Sequence, residues 1–517
     1  MLIHCMKKGI VFILSIFVVF SSYSQGEIDA FRSSRNDLQG TARAQAMGGA
    51  FGALGGDVSG IVINPAGIGI YRSSEIVATM SLSNFNITTN DEDHQSKSKF
   101  NFDHLAYVGY FPLGNSKGQS INFGFTYNRL KNFDRDFIGS NVNRTTSLTD
   151  YMANITDGYL YSEMEGGDRY RGDAPWLGVL GWNTYLLNTK PGSNNSYESV
   201  LYDGELVDSK IRSRERGRIE AYDFTVGSNL SDKFFMGLTF SLTDLYYQMS
   251  STYEEYFAND GGLDLDNVLE TSGSGYQLKL GAIFRPVDQL RLGVSYHSPT
   301  WYSLKDYYQA TVTPYDVYYE DNNGVERPAG SETTPDYAEW NYRLRTPYSW
   351  TFSLAAILSS QAILSLDYEI KDYSCMNLKD NAGYNLKDDN DVIKDDFTWS
   401  SHLRAGLEYK FTPQFSGRLG YAWMGTPYTD DFKDGKMQVM TAGTAPQYTI
   451  EGDVHHLTAG LGYRFTPQFY MDVAFVYRTQ TDDFYYYSPM PGWNMVSDAV
   501  SFKSNTYKGL LTLGYKF

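Results

Sequence analysis

Few side-chain groupings in the 517-residue chain have a spacing that suits chemistry. His455-His456 invites a metal or acid–base reading. Neighbouring residues on a strand point to opposite faces, so the pair cannot hold one ion. Asp453 and His455 share a face, but no nucleophile stands beside them, and a base alone makes no mechanism. The seven histidines form no His-Glu-x-x-His motif and no Cys/His cluster. Gly49–Asp57 has the glycine content of a phosphate cradle, yet no Gly-Lys-Ser/Thr follows and no strand-to-helix frame surrounds it. The sequence therefore predicts no enzyme, no metal site and no cofactor. What remains is a set of charges: Lys279, Arg291, Arg404, Glu408, Arg418, Arg464, Asp472 and Arg478. Each sits on the polar side of an alternating segment. Such charges are expected to pair with one another or with water, and steering of a carboxylate is their alternative use.

The elements that carry these charges are strands. In Ser401–Phe411 the odd positions are Leu403, Ala405, Leu407, Tyr409 and Phe411, opposed by His402, Arg404, Gly406, Glu408 and Lys410. Leu457 to Phe465, Phe469 to Tyr477 and Tyr276 to Phe284 repeat the pattern. A period of two places the two sets on opposite faces of a strand. A soluble sandwich also alternates. Here aromatic residues fall at strand ends, where an interfacial girdle lies, and the polar face mixes charge with glycine, as a wet lumen does. The chain ends on Leu511, Leu513, Tyr515 and Phe517, which resembles the terminal signal that outer-membrane barrels present for assembly. Mean hydropathy is -0.39 despite 43 Tyr and 30 Phe, as alternation requires.

Connections support a barrel. About fourteen strands are predicted, near 76–85, 102–111, 120–131, 218–230, 233–248, 275–285, 289–300, 343–358, 361–371, 401–411, 414–424, 453–465, 468–479 and 505–517. Tight turns at 230–232, 285–288, 359–360, 412–414 and 466–468 alternate with connections expected to be long and polar. That asymmetry suits short periplasmic turns and long outer loops. The longest connection, 132–216, should be partly ordered. A helix is expected within Thr149–Met164, where Tyr151, Ile155 and Tyr159 recur every four residues.

The N-terminus reads as an export signal. Lys7-Lys8 precedes the apolar Ile10–Phe20, and Ser22-Tyr23-Ser24 supplies a cleavage pattern before Gln25. Loss of both lysines takes the net charge from -17 to -19, which argues against nucleic acid as a partner. Only Cys375 outlasts cleavage, so no internal disulfide can form.

Between signal and strands lies a Gly/Ala-rich stretch without alternation. Gly48, Gly49, Gly52, Gly55 and Gly56 permit tight turning, and Pro65 fixes the backbone after the turn-former Asn64. Phe51, Leu54, Ile61, Ile63 and Ile68 are the candidate contacts for a hydrophobic ligand, with packing against a wall as their simpler use.

The run Gly40-Thr41-Ala42-Arg43-Ala44-Gln45-Ala46-Met47-Gly48-Gly49-Ala50-Phe51, then Ala53-Leu54-Gly55-Gly56-Asp57 and Asn64-Pro65-Ala66-Gly67, resembles the N-terminal plug of the long-chain fatty acid transporter family, FadL, with its toluene-channel relatives. The resemblance implies a monomeric barrel in the outer membrane of a Gram-negative bacterium, its lumen blocked by a hatch. It also implies passive uptake of small hydrophobic compounds and their sideways release into the lipid. It assigns the plug and its gating to Gly48, Gly49, Asn64, Pro65 and Ala66. The expected layout is a signal peptide over 1–24, a plug over 25–74 and an all-β transmembrane antiparallel barrel over 75–517. One departure is that the longest outer loop follows the third strand, so the family's loop contacts are not carried over. The alternative function is a non-transporting scaffold or secretion-system adaptor with a protein partner on the long acidic loops.

Overall fold

The structure is a computed structural model that describes residues 26–89, 93–113, 119–336, 338–435, 437–490 and 499–517. The proposed signal peptide lies outside the described residues.

Fourteen antiparallel strands close into a barrel. They are β1 (Glu75–Thr89), β2 (Asp93–Pro112), β3 (Ser120–Asn132, continued by Arg135–Arg144), β4 (Val207–Asn229), β5 (Phe234–Phe257), β6 (Gly262–Val287) and β7 (Leu290–His297, continued by Trp301–Tyr315). Then follow β8 (Glu339–Arg345, continued by Ser349–Ile357), β9 (Ala362–Asp372, continued by Asn377–Asp380), β10 (Trp399–Lys410), β11 (Phe415–Met424), β12 (Val454–Arg464), β13 (Phe469–Tyr485) and β14 (Val500–Lys516). Each strand pairs with the next, and β14 returns to β1 from Glu75↔Lys516 to Thr89↔Phe502. Closure leaves no sheet edge, which a bilayer requires. The lipid side carries Leu407, Leu457, Phe475 and their like, all exposed. Among the described residues no helix is long and apolar enough to span a membrane.

Every expected strand is present, but several run further outward than the alternation over a membrane thickness suggested. Residues 249–274 were expected as a long polar loop. Instead β5 and β6 continue as a paired ribbon to Tyr256↔Gly262. Likewise β3 and β4 extend into the 132–216 connection, pairing Arg135↔Glu215 and Arg144↔Val207. Outside the lipid a strand needs no apolar face to persist, because the partner ladder still satisfies its backbone. The expected helix spans Leu148–Thr156, shorter than the 149–164 window. Ser147 caps it, with Asp150 returning the bond to the Ser147 N–H at 2.9 Å.

The outer loops fold into one buried core. Trp176 and Leu177 of the helix Trp176–Asn183, Ile393 of the helix Lys387–Asp396, Tyr428, Phe432, Tyr448 and Tyr486 all belong to it. The N-terminal helix Glu27–Ser34 enters this core from inside the barrel. Phe31 lies 5.3 Å from the Tyr373 and Tyr428 rings and 5.5 Å from Phe397. The chain then descends through the lumen, forms short helices at Ala42–Ala46 and Val58–Ile63 and a 3-10 turn at Pro65–Ile70, and joins β1 beside the C-terminus. There the Ser74 N–H donates to the Phe517 carbonyl at 3.1 Å.

Candidate functional site

The site is the seam between the lumenal segment and the wall. Eight strands or strand pairs present glycine where that segment presses closest. A Cβ at Gly237 would lie 2.2 Å from the Pro65 carbonyl, one at Gly281 2.0 Å from Asn64 Oδ1, and one at Gly420 2.2 Å from the Gly48 nitrogen. Gly406 meets Met47 at 2.5 Å, Gly460 meets Ala46 at 2.5 Å, and Gly227 meets Ile68 at 2.3 Å in the same construction. These distances leave no room for a methyl group, so the wall is glycine because plug backbone and side-chain atoms occupy the space. Within the plug, Gly48 and Gly49 adopt φ of +62° and +77° and allow the chain to fold back on the wall.

The Asn64-Pro65-Ala66 motif sits at the centre of this contact. The Asn64 side-chain oxygen accepts the Ala66 N–H at 3.1 Å, and its amide nitrogen donates to the Gly52 carbonyl at 2.8 Å and toward the Ala282 and Val294 carbonyls of the wall at 3.3 and 3.4 Å. Pro65 opens the 3-10 turn, where its missing N–H costs nothing. On β7 the Ser295 hydroxyl and the His297 Nε2 both reach the Ile63 carbonyl, at 2.8 and 2.9 Å. On β9 one oxygen of buried Asp367 accepts the N–H of Phe51 at 3.0 Å and of Gly52 at 2.9 Å. At the far side Thr458 accepts the Gly48 N–H at 3.1 Å and donates to the Ala46 carbonyl at 2.9 Å.

Most of the predicted polar-face charges are paired. Arg43 of the plug grips Glu408 at 2.9 and 3.1 Å; Glu408 also receives Arg418 at 2.7 Å, and Arg418 reaches Asp472 at 2.6 Å. Lys279 pairs with Asp223 at 3.1 Å, Arg404 with Glu369, and Arg478 with Gln480. Arg291 donates to the Leu54 carbonyl. His455 and His456 do face opposite ways: Tyr421 shares a 2.9 Å bond with His455, whereas His456 is buried in the lumen. Asp453 accepts the Trp423 indole N–H at 3.0 Å. Among the described residues no group of His, Cys, Asp or Glu could hold a metal ion.

Two lumenal cavities flank the strung-out residues 35–40. The first is lined by Leu38, Val62, Ile63 and Leu130 together with Lys371, His402 and Arg404. The second is bounded by Arg129, Lys131, Arg478 and Lys508, with Asp103, Asp134 and Glu451 among them. Of the five apolar candidates, Ile63 lines the first cavity. Phe51 and Leu54 pack with Ala44, Met47 and Ala355, while Ile61 and Ile68 pack with Val77, Ala106 and Val108 of the wall. Leu38, Val62 and Leu130 carry no sequence signal that separates them from other apolar residues. Above the cavities Glu27 is buried and accepts the Met440 N–H at 3.0 Å. Burial pushes its carboxyl well above the usual range, against the bonds it accepts and with Asp396 adding to the rise.

A closed fourteen-strand barrel with short periplasmic turns and a folded segment bound inside it is an outer-membrane β-barrel with an occupied lumen. The sequence model of the family described as "Outer membrane protein transport protein (OMPP1/FadL/TodX)" matches residues 235–485. A crystal structure of a Pseudomonas aeruginosa FadL homologue covers 94% of this chain and 100% of its own, at TM-score 0.53 and 13% identity. The Ralstonia pickettii toluene transporter TbuX and the Pseudomonas putida toluene transporter TodX each reach TM-score 0.46 at 12% identity, over 93% of this chain and 99% of theirs. At such identities the likeness concerns the fold, and the first of the three carries it. No curated protein matches the sequence. The family model matches just under half of the chain, and the likeness of fold to the FadL homologue extends over nearly all of it.

Proposed function

We propose that this protein carries small hydrophobic compounds, long-chain fatty acids first among them, passively across the outer membrane as a monomer. One observation supports this most directly. The first cavity sets an apolar patch of Leu38, Val62, Ile63 and Leu130 beside a polar end where the two cations Lys371 and Arg404 share the single carboxylate Glu369, leaving an excess of positive charge. A greasy chain ending in a carboxylate matches both halves, whereas a bare hydrocarbon matches only one. Ile63 touches ligand in this reading, and Phe51, Leu54, Ile61 and Ile68 follow it when the plug moves. Gly48, Gly49 and Asn64-Pro65-Ala66 act as the gate because they hold the plug to the wall.

Sideways release has a candidate place. Pro299 and Pro347 interrupt β7 and β8 at the same level, between the pairs Trp301↔Arg345 and His297↔Ser349. Proline removes ladder donors, so few bonds hold this part of the wall. Thr300 and Thr346 bridge it at 2.8 and 3.0 Å, and both line the first cavity with Pro347.

The test is uptake of a radiolabelled long-chain fatty acid by cells lacking the gene and complemented with wild type or Lys371→Gln. Wild type should restore uptake and the variant should restore less. Equal uptake by deleted and complemented cells would remove the proposal. Native mass spectrometry of the purified protein reads the bound hydrophobe directly.

A further inference from the structure

Strand β4 carries a row of cations on one face above the membrane. Lys210, Arg212, Arg214, Arg216 and Arg218 alternate with Ile211, Ser213, Glu215 and Gly217. Ile211, Ser213 and Glu215 are buried on the inner side. A period of two therefore puts the cations on the outer surface of the barrel. Toward the 230–232 turn the same face continues as Tyr222, Phe224 and Val226, all exposed to lipid. Tyr222 meets Tyr127 of β3 at 5.6 Å, and Tyr127 meets Phe102 of β2 at 6.0 Å, which marks the outer aromatic girdle. The cations begin where the hydrocarbon ends.

Part of the row is neutralised by the protein itself. Arg218 holds Glu220 at 2.9 Å, with Asp244 opposite Glu220 on β5. Asp136 of β3 lies across from Arg214, but both its oxygens go to Arg216, one at 2.9 Å, and Lys97 stands 3.7 Å away. Lys210 faces Glu254 across the ladder. Arg212 and Arg214 are exposed and make no hydrogen bond or ion pair among the described residues. Their other ladder neighbours, Ile138, Thr252 and Ser250, bear no charge. The rim is not uniformly basic, since the matching outer face of β6 carries Asp264, Asp266 and Glu270.

The height of the row selects the partner. From Lys210 to Arg218 the strand advances roughly 26 Å at ~3.3 Å per residue, or about 19 Å of height at the ~45° tilt of a membrane strand. The polar layer on one side of a phospholipid bilayer is only about 5–8 Å thick. On the same scale Arg214 and Arg212 stand about 9 and 14 Å above Arg218, beyond a phospholipid phosphate. A ligand that uses both the apolar foot and these guanidinium groups has acyl chains and a tall anionic headgroup. We propose that this face of β4 is a docking site for a phosphorylated glycolipid of the outer leaflet. Its chains lie on Tyr222, Phe224 and Val226, and its sugar phosphates on Arg212 and Arg214, whose planar donor forks suit phosphate.

The probe is rough-type lipopolysaccharide, added in mild detergent to the folded full chain, with bound lipid read by native mass spectrometry. Wild type should bind it at least about tenfold more tightly than the same lipid stripped of its phosphates. Arg212→Gln/Arg214→Gln should lose that preference, and its heat-modifiable form checks that the barrel is intact. The control Lys387→Gln/Lys394→Gln removes the same charge from an exposed outer helix and should bind as wild type. Equal affinity for intact and dephosphorylated lipid overturns the proposal without recourse to a variant. So does wild-type binding by the arginine variant, or an equal loss in the control. Equal affinity for phosphatidylglycerol, or for a soluble phosphorylated core sugar without acyl chains, overturns it as well.

Discussion

Gly281 on β6 lies against Asn64 of the plug so closely that a methyl group there would sit 2.0 Å from the Asn64 amide oxygen. The amide is itself committed to the Ala66 N–H and the Gly52 carbonyl. Wall and plug therefore cannot be varied independently at this point. Gly281→Val should expel the Asn64-Pro65-Ala66 turn while leaving the barrel closed. Expected outcomes are normal heat modifiability, protease cleavage within residues 40–70, and larger single-channel conductance in planar bilayers.

Asp367 should matter through its two accepted bonds. Asp367→Ala leaves the Phe51 and Gly52 N–H groups without their acceptor in a buried place. Each orphaned donor costs about 1–3 kcal/mol. Plug release, read by hydrogen exchange of residues 48–56, should become measurable in the variant under conditions where wild type is protected.

The Arg43–Glu408–Arg418–Asp472 chain of ion pairs joins plug to wall. Glu408→Gln removes the shared anion and leaves two buried guanidinium groups under-compensated. Breaking a buried pair typically costs about 3–5 kcal/mol, with a wet lumen at the low end. Urea-driven loss of the plug should occur earlier in this variant, and Asp472→Asn should act in the same direction but less, because Arg418 keeps Glu408.

A pH effect is expected in the outer cap. Burial, followed by the charge of Asp395, holds the Asp396 carboxyl up at about 7. The fold thus favours the neutral acid. That contribution is complete below the unfolded value of 3.8 and is lost as pH rises through 7. Exchange protection of Lys387–Asp396, corrected for intrinsic rates, should fall as pH rises from 3.8 towards 7 and level off above it. Asp396→Asn should remove the dependence.

Phe31 anchors the N-terminal helix among Tyr373, Phe397 and Tyr428. Truncating such a ring costs about 3–5 kcal/mol. Phe31→Ala should free Glu27–Ser34 without opening the barrel, seen as selective proteolysis of the N-terminus in intact cells.

Much of the architecture was legible along the chain. The alternation in Ser401–Phe411 and Leu457–Phe465 gives both faces of β10 and β12, and the tight turns at 412–414 and 466–468 give their pairing. The outward extension of β5 and β6 was not legible, because beyond the lipid neither face must be apolar and the period weakens. The segment that carries the motif packs against the inner wall of the barrel. Its hydrogen-bond partners Asp367, Ser295 and Thr458 lie more than two hundred residues away and look like ordinary lumen-facing polar residues. The glycines at 237, 281 and 420 were visible, but nothing local says which backbone fills the space beside them.

By itself, then, the sequence determined a two-faced ribbon that crosses a membrane an even number of times, because side-chain alternation is a local property of each strand. Closure decided the rest. Only when β14 meets β1 does the lumen become an enclosed volume in which Arg43 finds Glu408, Asn64 meets Gly281 and Phe31 reaches the outer loops. Those contacts join residues brought together by the curvature of the barrel, and no spacing along the chain encodes that distance.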